Sequence, residues 1–181
     1  FKQKTAYEIP KRDWSSDVCS SDLEPPWDVT QPPLDRTKYA PYVAPTGLAQ
    51  PQMRVLRSMR MITEDPKISY DQLMAKKHST RMELADKVLP DLLKAAAGKT
   101  EAARVLEKWD HLTDADSRGA VLFQMFADRY FAGPGGVAAR MRVKFDFNRP
   151  LDSAYGLNDP AGALATLAEV AEQVQIGRAH V

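Results

Sequence analysis

The sequence predicts a mainly α-helical protein, and three observations support that fold class. From residue 52 onward, apolar residues recur three and four positions apart, which is the spacing that places them on one face of a helix. Helix-capping and helix-ending residues separate these stretches from one another. A single segment, near residues 141–147, alternates apolar and charged side chains as a strand does.

Residues 24–51 precede the predicted helices and are dense in proline. Proline fixes the backbone angle φ and lacks an N–H donor, so regular structure is not expected here. Aromatic residues favour an extended segment laid over a folded body, because disordered segments usually carry few of them. The residues that support this interpretation are Trp27, Leu34, Tyr39, Tyr42 and Val43. A disordered linker is the alternative that the composition leaves open.

Two helices are predicted between residues 52 and 80. The first carries an apolar stripe beside Arg54 and Arg57 and should end before Pro66. Ser69 followed by Gln72 is a capping-box pattern, in which each side chain accepts a hydrogen bond from the backbone N–H of the other residue. This pattern predicts the start of a short second helix.

A longer third helix is predicted from about residue 82 to Gly98. Pro90 lies inside it and predicts a kink or a break, because proline removes one hydrogen bond of the helix ladder. Gly98 suits the left-handed conformation that ends many helices. Thr100 is then placed to cap a fourth helix.

The second half of the sequence predicts two more helices and the strand. One helix should begin near Asp116 or Ser117 and end at the Gly-Pro-Gly-Gly sequence of residues 133–136. The strand follows near residues 141–147, and a last amphipathic helix starts after Pro160. Apolar residues assigned to the first of these helices are Val121, Leu122, Met125, Phe126, Tyr130 and Phe131.

Both ends of the chain match the translation of a sequencing adapter. Residues 13–22 are encoded by GAC TGG AGT TCA GAC GTG TGC TCT TCC GAT, a stretch of a short-read library adapter, and residues 2–9 translate the outer part of the same oligonucleotide. Residues 176–181 translate the reverse complement of the stretch that encodes "DVCSSD". We therefore expect residues 1–23 and 176–181 to be adapter-derived and exclude them from the fold prediction. A natural Ser/Asp linker with an ordinary tail would require three coincidences in consistent frames.

The remaining residues, 24–175, are electrically balanced. The whole chain has 25 Lys and Arg against 24 Asp and Glu, and both counts fall to 20 without the predicted adapter segments. A net charge of 0 gives no indication of a nucleic-acid partner, and no stretch is apolar enough to predict a membrane span. Cys19 lies in an adapter segment, so residues 24–175 offer no thiol for catalysis, disulfides or metal binding.

Short motifs alone do not identify a function. The sequence has no phosphate-binding glycine loop, no histidine pair at metal-ligand spacing and no Gly-x-Ser-x-Gly motif. His78 and His111 are interpreted as surface or capping residues, because no partner for either is evident in the sequence. The acidic segment "WDHLTDADSRG" lacks the closing Glu of a calcium loop. We predict no metal and no cofactor.

Longer segments resemble a known family. "EPPW" is followed by "MRVLRSMRMITEDPKISYDQL", "KHSTRMELADKVLPDLL" and "WDHLTDADSRGAVLFQMFADRYF", and their order and spacing resemble the penicillin amidase and acyl-homoserine lactone acylase family. The resemblance spans residues 24–175. It implies that these residues are the helical part of the large chain of an amidohydrolase with an αββα N-terminal nucleophile fold.

The resemblance also implies a mechanism and one site residue. In that family a serine becomes the amino terminus of the large chain, and its own α-amine acts as the base. By this comparison the serine lies upstream of the present sequence, and the oxyanion asparagine falls at about Leu23, so both are expected to be absent. Arg54 aligns with the active-site arginine and would orient the asparagine and the amine through charge-assisted hydrogen bonds. The alternative is that Arg54 has no active-site role and is a solvent-exposed arginine beside Arg57 and Arg60.

Partners and location are likewise implied by the resemblance. The expected partners are the remainder of the parent large chain, its small chain and, in the parent, a small-molecule amide substrate. Neither nucleic acid nor a membrane is expected, and the family implies a periplasmic or secreted protein. The chain by itself should be inactive. A helical interaction module without catalysis is the alternative from another functional class.

Overall fold

The computed structural model describes residues 35–40 and 52–179, with backbone alone at residues 36 and 175–179. It confirms a mainly helical fold with one small antiparallel sheet. In chain order the elements are α1 (Met53–Thr63), α2 (Tyr70–Lys77), α3 (Glu83–Ala96), α4 (Glu101–Glu107), α5 (Ala120–Tyr130), α6 (Gly136–Arg140), β1 (Met141–Val143), β2 (Tyr155–Leu157) and α7 (Pro160–Ala179).

Much of what the sequence predicts for the two ends lies outside the described residues. This applies to residues 1–23, which are predicted to be adapter-derived, to residues 180–181 and to most of the proline-rich segment 24–51. Within that segment a 3-10 turn forms at Arg36–Lys38, where extended chain was expected. The Asp35 carboxylate accepts hydrogen bonds from the backbone N–H and the hydroxyl of Thr37, at 3.1 and 2.6 Å, and closes this turn.

At the other end, α7 continues past residue 175 to Ala179. A continuous helix is compatible with either origin of residues 176–179. Their assignment to an adapter therefore stays a prediction.

The core lies where α3, α5 and α7 pack together with the β-hairpin. An aromatic series runs through it, with ring centroids 5.2 Å apart for Trp109 and Phe123, 6.0 Å for Phe123 and Phe126, and 5.5 Å for Phe126 and Tyr130. Offset and tilted aromatic pairs at these distances add to the stabilisation from area burial. The largest fully buried side chains are Phe123, Phe126, Leu56, Leu89, Leu92, Leu106, Met141, Leu157 and Leu167.

Two of the predicted caps form as expected. Ser69 N donates to Gln72 Oε1 at 2.8 Å and Gln72 N donates to Ser69 Oγ at 3.2 Å, which completes the capping box of α2. Ala103 N donates to Thr100 Oγ1 at 3.2 Å and begins α4. These bonds satisfy N–H groups that have no partner inside the helix.

The third helix continues through Pro90. Of the kink or break expected there, the structure excludes a break, because α3 runs as one helix from Glu83 to Ala96; a kink stays a prediction. Pro90 is exposed, and its neighbours Leu89 and Leu92 are fully buried. Their packing holds the helix together across the missing hydrogen bond. Beyond α3, Gly98 takes the expected left-handed conformation, with φ of +67°.

The fifth helix begins later than predicted. It starts at Ala120 rather than near Asp116 or Ser117, because residues 114–117 form a turn closed by Ser117 N donating to the Asp114 carbonyl at 2.9 Å. Val121, assigned to the apolar face, is 63% exposed, while Phe123 is fully buried.

The predicted strand is shorter than expected and has a partner that the sequence did not reveal. Only residues 141–143 are a strand; Met141 pairs with Leu157 and Val143 with Tyr155 in antiparallel register. Asp91 of α3 holds this hairpin by accepting from Leu157 N at 2.9 Å and from Arg142 Nε at 3.0 Å. The hairpin is therefore fixed to the central helix by a charged group as well as by apolar packing.

Replacing Gly119 by alanine should destabilise the protein by about 1–3 kcal/mol through overpacking. A Cβ at this position would lie 2.3 Å from Trp109 Cγ and 2.5 Å from Trp109 Cβ, and the backbone at Gly119 is otherwise ordinary, with φ of −85°. Urea unfolding monitored by tryptophan fluorescence measures the effect.

The matched control is Gly98→Ala, where no atom lies within 4 Å of the added Cβ and only the left-handed backbone is strained. We expect a cost of about 1 kcal/mol there. Equal stability of Gly119→Ala and the unchanged chain would contradict the packing described.

Candidate functional site

The candidate site residue Arg54 lies on α1 with two other arginines, Arg57 and Arg60. The structure separates the three by their surroundings. The guanidinium groups of Arg57 and Arg60 both contact Glu83, whereas Arg54 is exposed at the edge of a cleft. Of the three, Arg54 is thus the one most accessible from outside the folded body.

Glu83, the first residue of α3, is the centre of a buried charge cluster. Its side chain is 1% exposed. Arg60 Nε donates to both carboxylate oxygens, at 3.0 and 3.3 Å, and Arg57 Nη1 lies 4.0 Å from Oε2. A carboxylate in the first turn also interacts favourably with the helix dipole. Glu83 therefore joins α1 to α3 by charge-assisted hydrogen bonds.

Lys87, one turn further along α3, extends this cluster to the loop before β2. Its Nζ donates to the carbonyl of Ser153 at 2.9 Å and lies 3.9 Å from Glu83 Oε1. Burial lowers the pKa of Lys87, and the nearby carboxylate of Glu83 opposes that shift. Arg60 Nη2 donates to the carbonyl of Leu151 at 3.1 Å, so the same loop is held from two helices.

A second charged cluster lies beside the first, around Asp86. Arg81 donates to both of its carboxylate oxygens, at 2.8 and 2.6 Å, and His111 Nδ1 lies 2.5 Å from Oδ1. Burial raises the pKa of Asp86, but the hydrogen bonds from Arg81 and His111 outweigh burial and leave it below its ordinary value.

His111 is a residue whose role the sequence analysis missed. It was interpreted as a surface or capping residue, and the structure places its ring between Asp86 and Trp109, with a centroid distance of 5.3 Å to the latter. Its backbone is left-handed, with φ of +65°, and its carbonyl accepts from Met82 N at 2.9 Å. Because Asp86 and His111 are 25 positions apart, no local pattern could have linked them.

Arg54 lines the cleft of about 840 Å³ between α1 and the segment from α2 to the start of α3. We name it the α1–α2 cleft. Its lining residues are Met53, Arg54, Val55, Arg57, Ser58, Met61, Lys76, Lys77, Ser79, Thr80, Arg81, Met82, Glu83 and Leu84. Cationic side chains predominate over carboxylates among them.

The charged residues of the α1–α2 cleft are mostly cationic, and the described residues show neither an activated hydroxyl nucleophile nor a metal site. Within residues 52–174, no serine or threonine hydroxyl is hydrogen-bonded to a histidine ring or a lysine amine, which is how a hydroxyl nucleophile is activated. Among the described residues there is also no group of three or more His, Cys, Asp or Glu placed to hold a metal ion. No helix in these parts of the chain is both long and apolar enough to cross a bilayer.

Comparisons with known proteins agree on one family. The sequence profile described as penicillin amidase matches residues 10–173. The acyl-homoserine lactone acylase PvdQ of Pseudomonas savastanoi pv. phaseolicola (strain 1448A / Race 6) is 31% identical over 153 residues, which cover 78% of this chain and 19% of that protein. The chain thus spans about a fifth of the length of this relative. The profile match overlaps residues 10–23, whose adapter origin stays a prediction.

Glu83→Gln should lower the free energy of unfolding by about 3–5 kcal/mol, because it leaves the buried Lys87 and the partly buried Arg57 and Arg60 without their carboxylate. The control is Glu101→Gln, which removes a pair with Arg104 whose carboxylate is 71% exposed. Pairs of that kind contribute roughly 0–1 kcal/mol. Urea unfolding of both variants gives the comparison, and equal losses would contradict a buried cluster centred on Glu83.

The Asp86 cluster should stabilise the protein in a pH-dependent way. Because the folded-state pKa of Asp86 is depressed, its stabilisation is fully present above the unfolded value of about 3.9 and is lost as the pH falls through the folded value. The stability advantage of the unchanged chain over Asp86→Asn should therefore shrink below about pH 4 in urea unfolding.

Arg81→Gln tests the cause of that pH dependence. It removes the hydrogen bonds that depress the pKa of Asp86, so the acid-induced loss should move to higher pH. If the unchanged chain, Asp86→Asn and Arg81→Gln all lose stability over the same pH range, then Asp86 is not responsible for the acid-induced loss of stability.

Proposed function

The chain belongs to the penicillin amidase family, and we propose that it is part of the large chain of an acylase that hydrolyses a linear amide. Substrate classes that fit are an N-acyl homoserine lactone, an acylated amine and the side chain of a penicillin. The observation that carries this proposal is the match of the family profile along residues 10–173, and the similarity to an acyl-homoserine lactone acylase supports it.

The chemical step in the parent acylase follows from the N-terminal nucleophile mechanism. The serine hydroxyl attacks the amide carbonyl and forms a C–O bond, while the α-amine of the same serine takes up the hydroxyl proton. Backbone N–H groups and an asparagine amide stabilise the oxyanion, and the tetrahedral intermediate then breaks its C–N bond as the leaving amine receives the proton. Water releases the acyl group by the same route.

Within this scheme the present chain supplies scaffold and one positioning residue. Arg54 would orient the oxyanion asparagine and the serine amine through charge-assisted hydrogen bonds. Its exposure beside the α1–α2 cleft supports that role, because residues of the parent outside the described body can approach it there. Arg57 and Arg60, which contact Glu83, would instead hold α1 against α3.

The chain alone is proposed to be inactive, with the remainder of the large chain and the small chain as its partners. The small share of the relative that it spans, 19%, supports this proposal. Assay of the expressed chain with an N-acyl homoserine lactone and with a penicillin tests it directly. Turnover of either substrate would contradict the assignment of nucleophile and oxyanion pocket to other parts of the parent.

A chimera gives the sharper test of the proposed function. Residues 24–175 replace the matching segment of the Pseudomonas savastanoi acylase, which keeps its own serine and asparagine. We expect the chimera to hydrolyse its lactone substrate, and Arg54→Lys to lower kcat by about 100-fold with little change in KM, because lysine lacks the planar fork that fixes two partners at once.

Lys77→Gln is the matched control, since it removes a charge from the same cleft without touching the proposed orienting group. It should leave kcat within about threefold of the unchanged chimera. An inactive but folded chimera would favour the alternative, a helical interaction module. Equal kcat values for Arg54→Lys and the unchanged chimera would contradict the proposed positioning role of Arg54.

A further inference from the structure

A small apolar pocket lies towards the C-terminal end of α7, where this helix meets α4 and the start of α5. We name it the α4–α7 pocket. Its lining residues are Glu101, Ala102, Val105, Arg118, Leu122, Ala171 and Val174. Five of these seven residues are apolar, and the two charged ones, Glu101 and Arg118, are exposed.

The size of the α4–α7 pocket suits one side chain. Its volume is about 100 Å³, whereas apolar cavities of about 150 Å³ accept a benzene molecule. Ala102 and Leu122 in its wall are 8% and 6% exposed, while Val105, Ala171 and Val174 are only partly buried. An apolar group placed here would complete the burial of these three side chains, and removal of apolar surface from water stabilises a folded protein.

The geometry of α7 indicates where such a group comes from. The helix continues to Ala179. With 3.6 residues per turn, position 178 projects between Ala171 and Val174 around the helix axis. Helical side chains point back towards the amino terminus and cover the turn before their own Cα. A long side chain at position 178 would therefore extend over Val174, towards the α4–α7 pocket.

The apolar spacing along α7 predicts the type of residue at this position. Leu164, Leu167, Ala171 and Val174 follow one another at intervals of three and four, and each lies in the core or packs against it. The next position in this series is 178. It is occupied by Arg178, within the segment that is predicted to be adapter-derived. The natural gene is therefore expected to specify a different residue there.

We propose that the α4–α7 pocket receives one large apolar side chain, that of Leu, Ile, Met or Phe, from position 178 of the natural polypeptide. The proposal rests on the proposed function, because it takes the chain to be part of a longer acylase whose own residues continue α7. The volume selects a single side chain, and the apolar wall disfavours a polar one.

Reading the natural gene is the first test. Sequencing of the source DNA downstream of the Gln175 codon, in the same frame, gives the residue at position 178 directly. We expect Leu, Ile, Met or Phe there. A polar or charged residue at 178, or a proline at 177 or 178 that would end α7, would overturn the proposal.

The second test fills the pocket in the full 181-residue chain. Arg178→Leu should raise the midpoint of urea unfolding by about 0.3–1 M, which is the usual effect of filling an apolar pocket. Gln173→Leu adds the same side chain at an exposed position of α7 and should leave the midpoint within about 0.2 M of the original. Arg178→Gln removes the charge without filling the pocket and should also have little effect. Equal midpoints for Arg178→Leu and Arg178→Gln would contradict the proposal.

Val105→Thr tests whether the leucine lies in this pocket. Threonine keeps the shape of valine and adds a hydroxyl to the pocket wall, so the gain from Arg178→Leu should fall to about half or less in this background. The full gain in the Val105→Thr background would place the leucine elsewhere and overturn the proposal.

The acylase chimera separates this proposal from the proposed function, because it replaces residues 24–175 and keeps the acylase's own residue at position 178. An active chimera, together with no gain from Arg178→Leu, would reject the occupant of the pocket and leave the proposed function in place. An inactive chimera, together with an apolar codon at 178 and the expected gain, would contradict the proposed function and support the occupant.

Discussion

The buried carboxylate of Glu83 is the interaction on which the rest of this structure depends. It receives Arg60 from α1 at 3.0 Å and lies one turn from Lys87, which holds the loop before β2 through the carbonyl of Ser153 at 2.9 Å. Three separate parts of the chain thus meet at one charge. Such a cluster is stable only while its members stay together, because each ion left alone in the interior would be strongly destabilising.

This constraint also explains the division among the three arginines of α1. Two of them face Glu83 and so fix how α1 lies on α3, and the helical geometry then sets where the third can be. Arg54, one turn before Arg57 and Ser58, comes to the cleft side of the helix. Arg57 and Arg60 thus hold α1 in place through Glu83, and the position of Arg54 beside the cleft follows from that arrangement.

The features that the sequence could predict are those that depend on residues close to one another in the chain. The capping box at Ser69 and the cap at Thr100 each join residues three positions apart, and both form. Contacts between distant residues were not predicted: Arg60 and Glu83 are 23 positions apart, and Asp86 and His111 are 25.

α5 is apolar on more than one side, so pattern alone could not choose between Val121 and Phe123 as the buried residue. β2 has three residues, too few for any period to be read. Arg54 was predicted as a site residue from the family resemblance rather than from the sequence pattern, and its role stays a prediction.

The exposed helix α2 has a consequence for how the molecule opens. Its ends are held by the capping box and by the ion pair of Lys76 with Asp65, and it contributes no side chain to the core. Local opening free energies are lowest where few apolar contacts are broken, so its backbone amides should exchange with deuterium long before those of α3 and α5. If a ligand or another protein segment binds in the neighbouring cleft, amide exchange in α2 should become slower. This change can be measured without altering the charge cluster around Glu83.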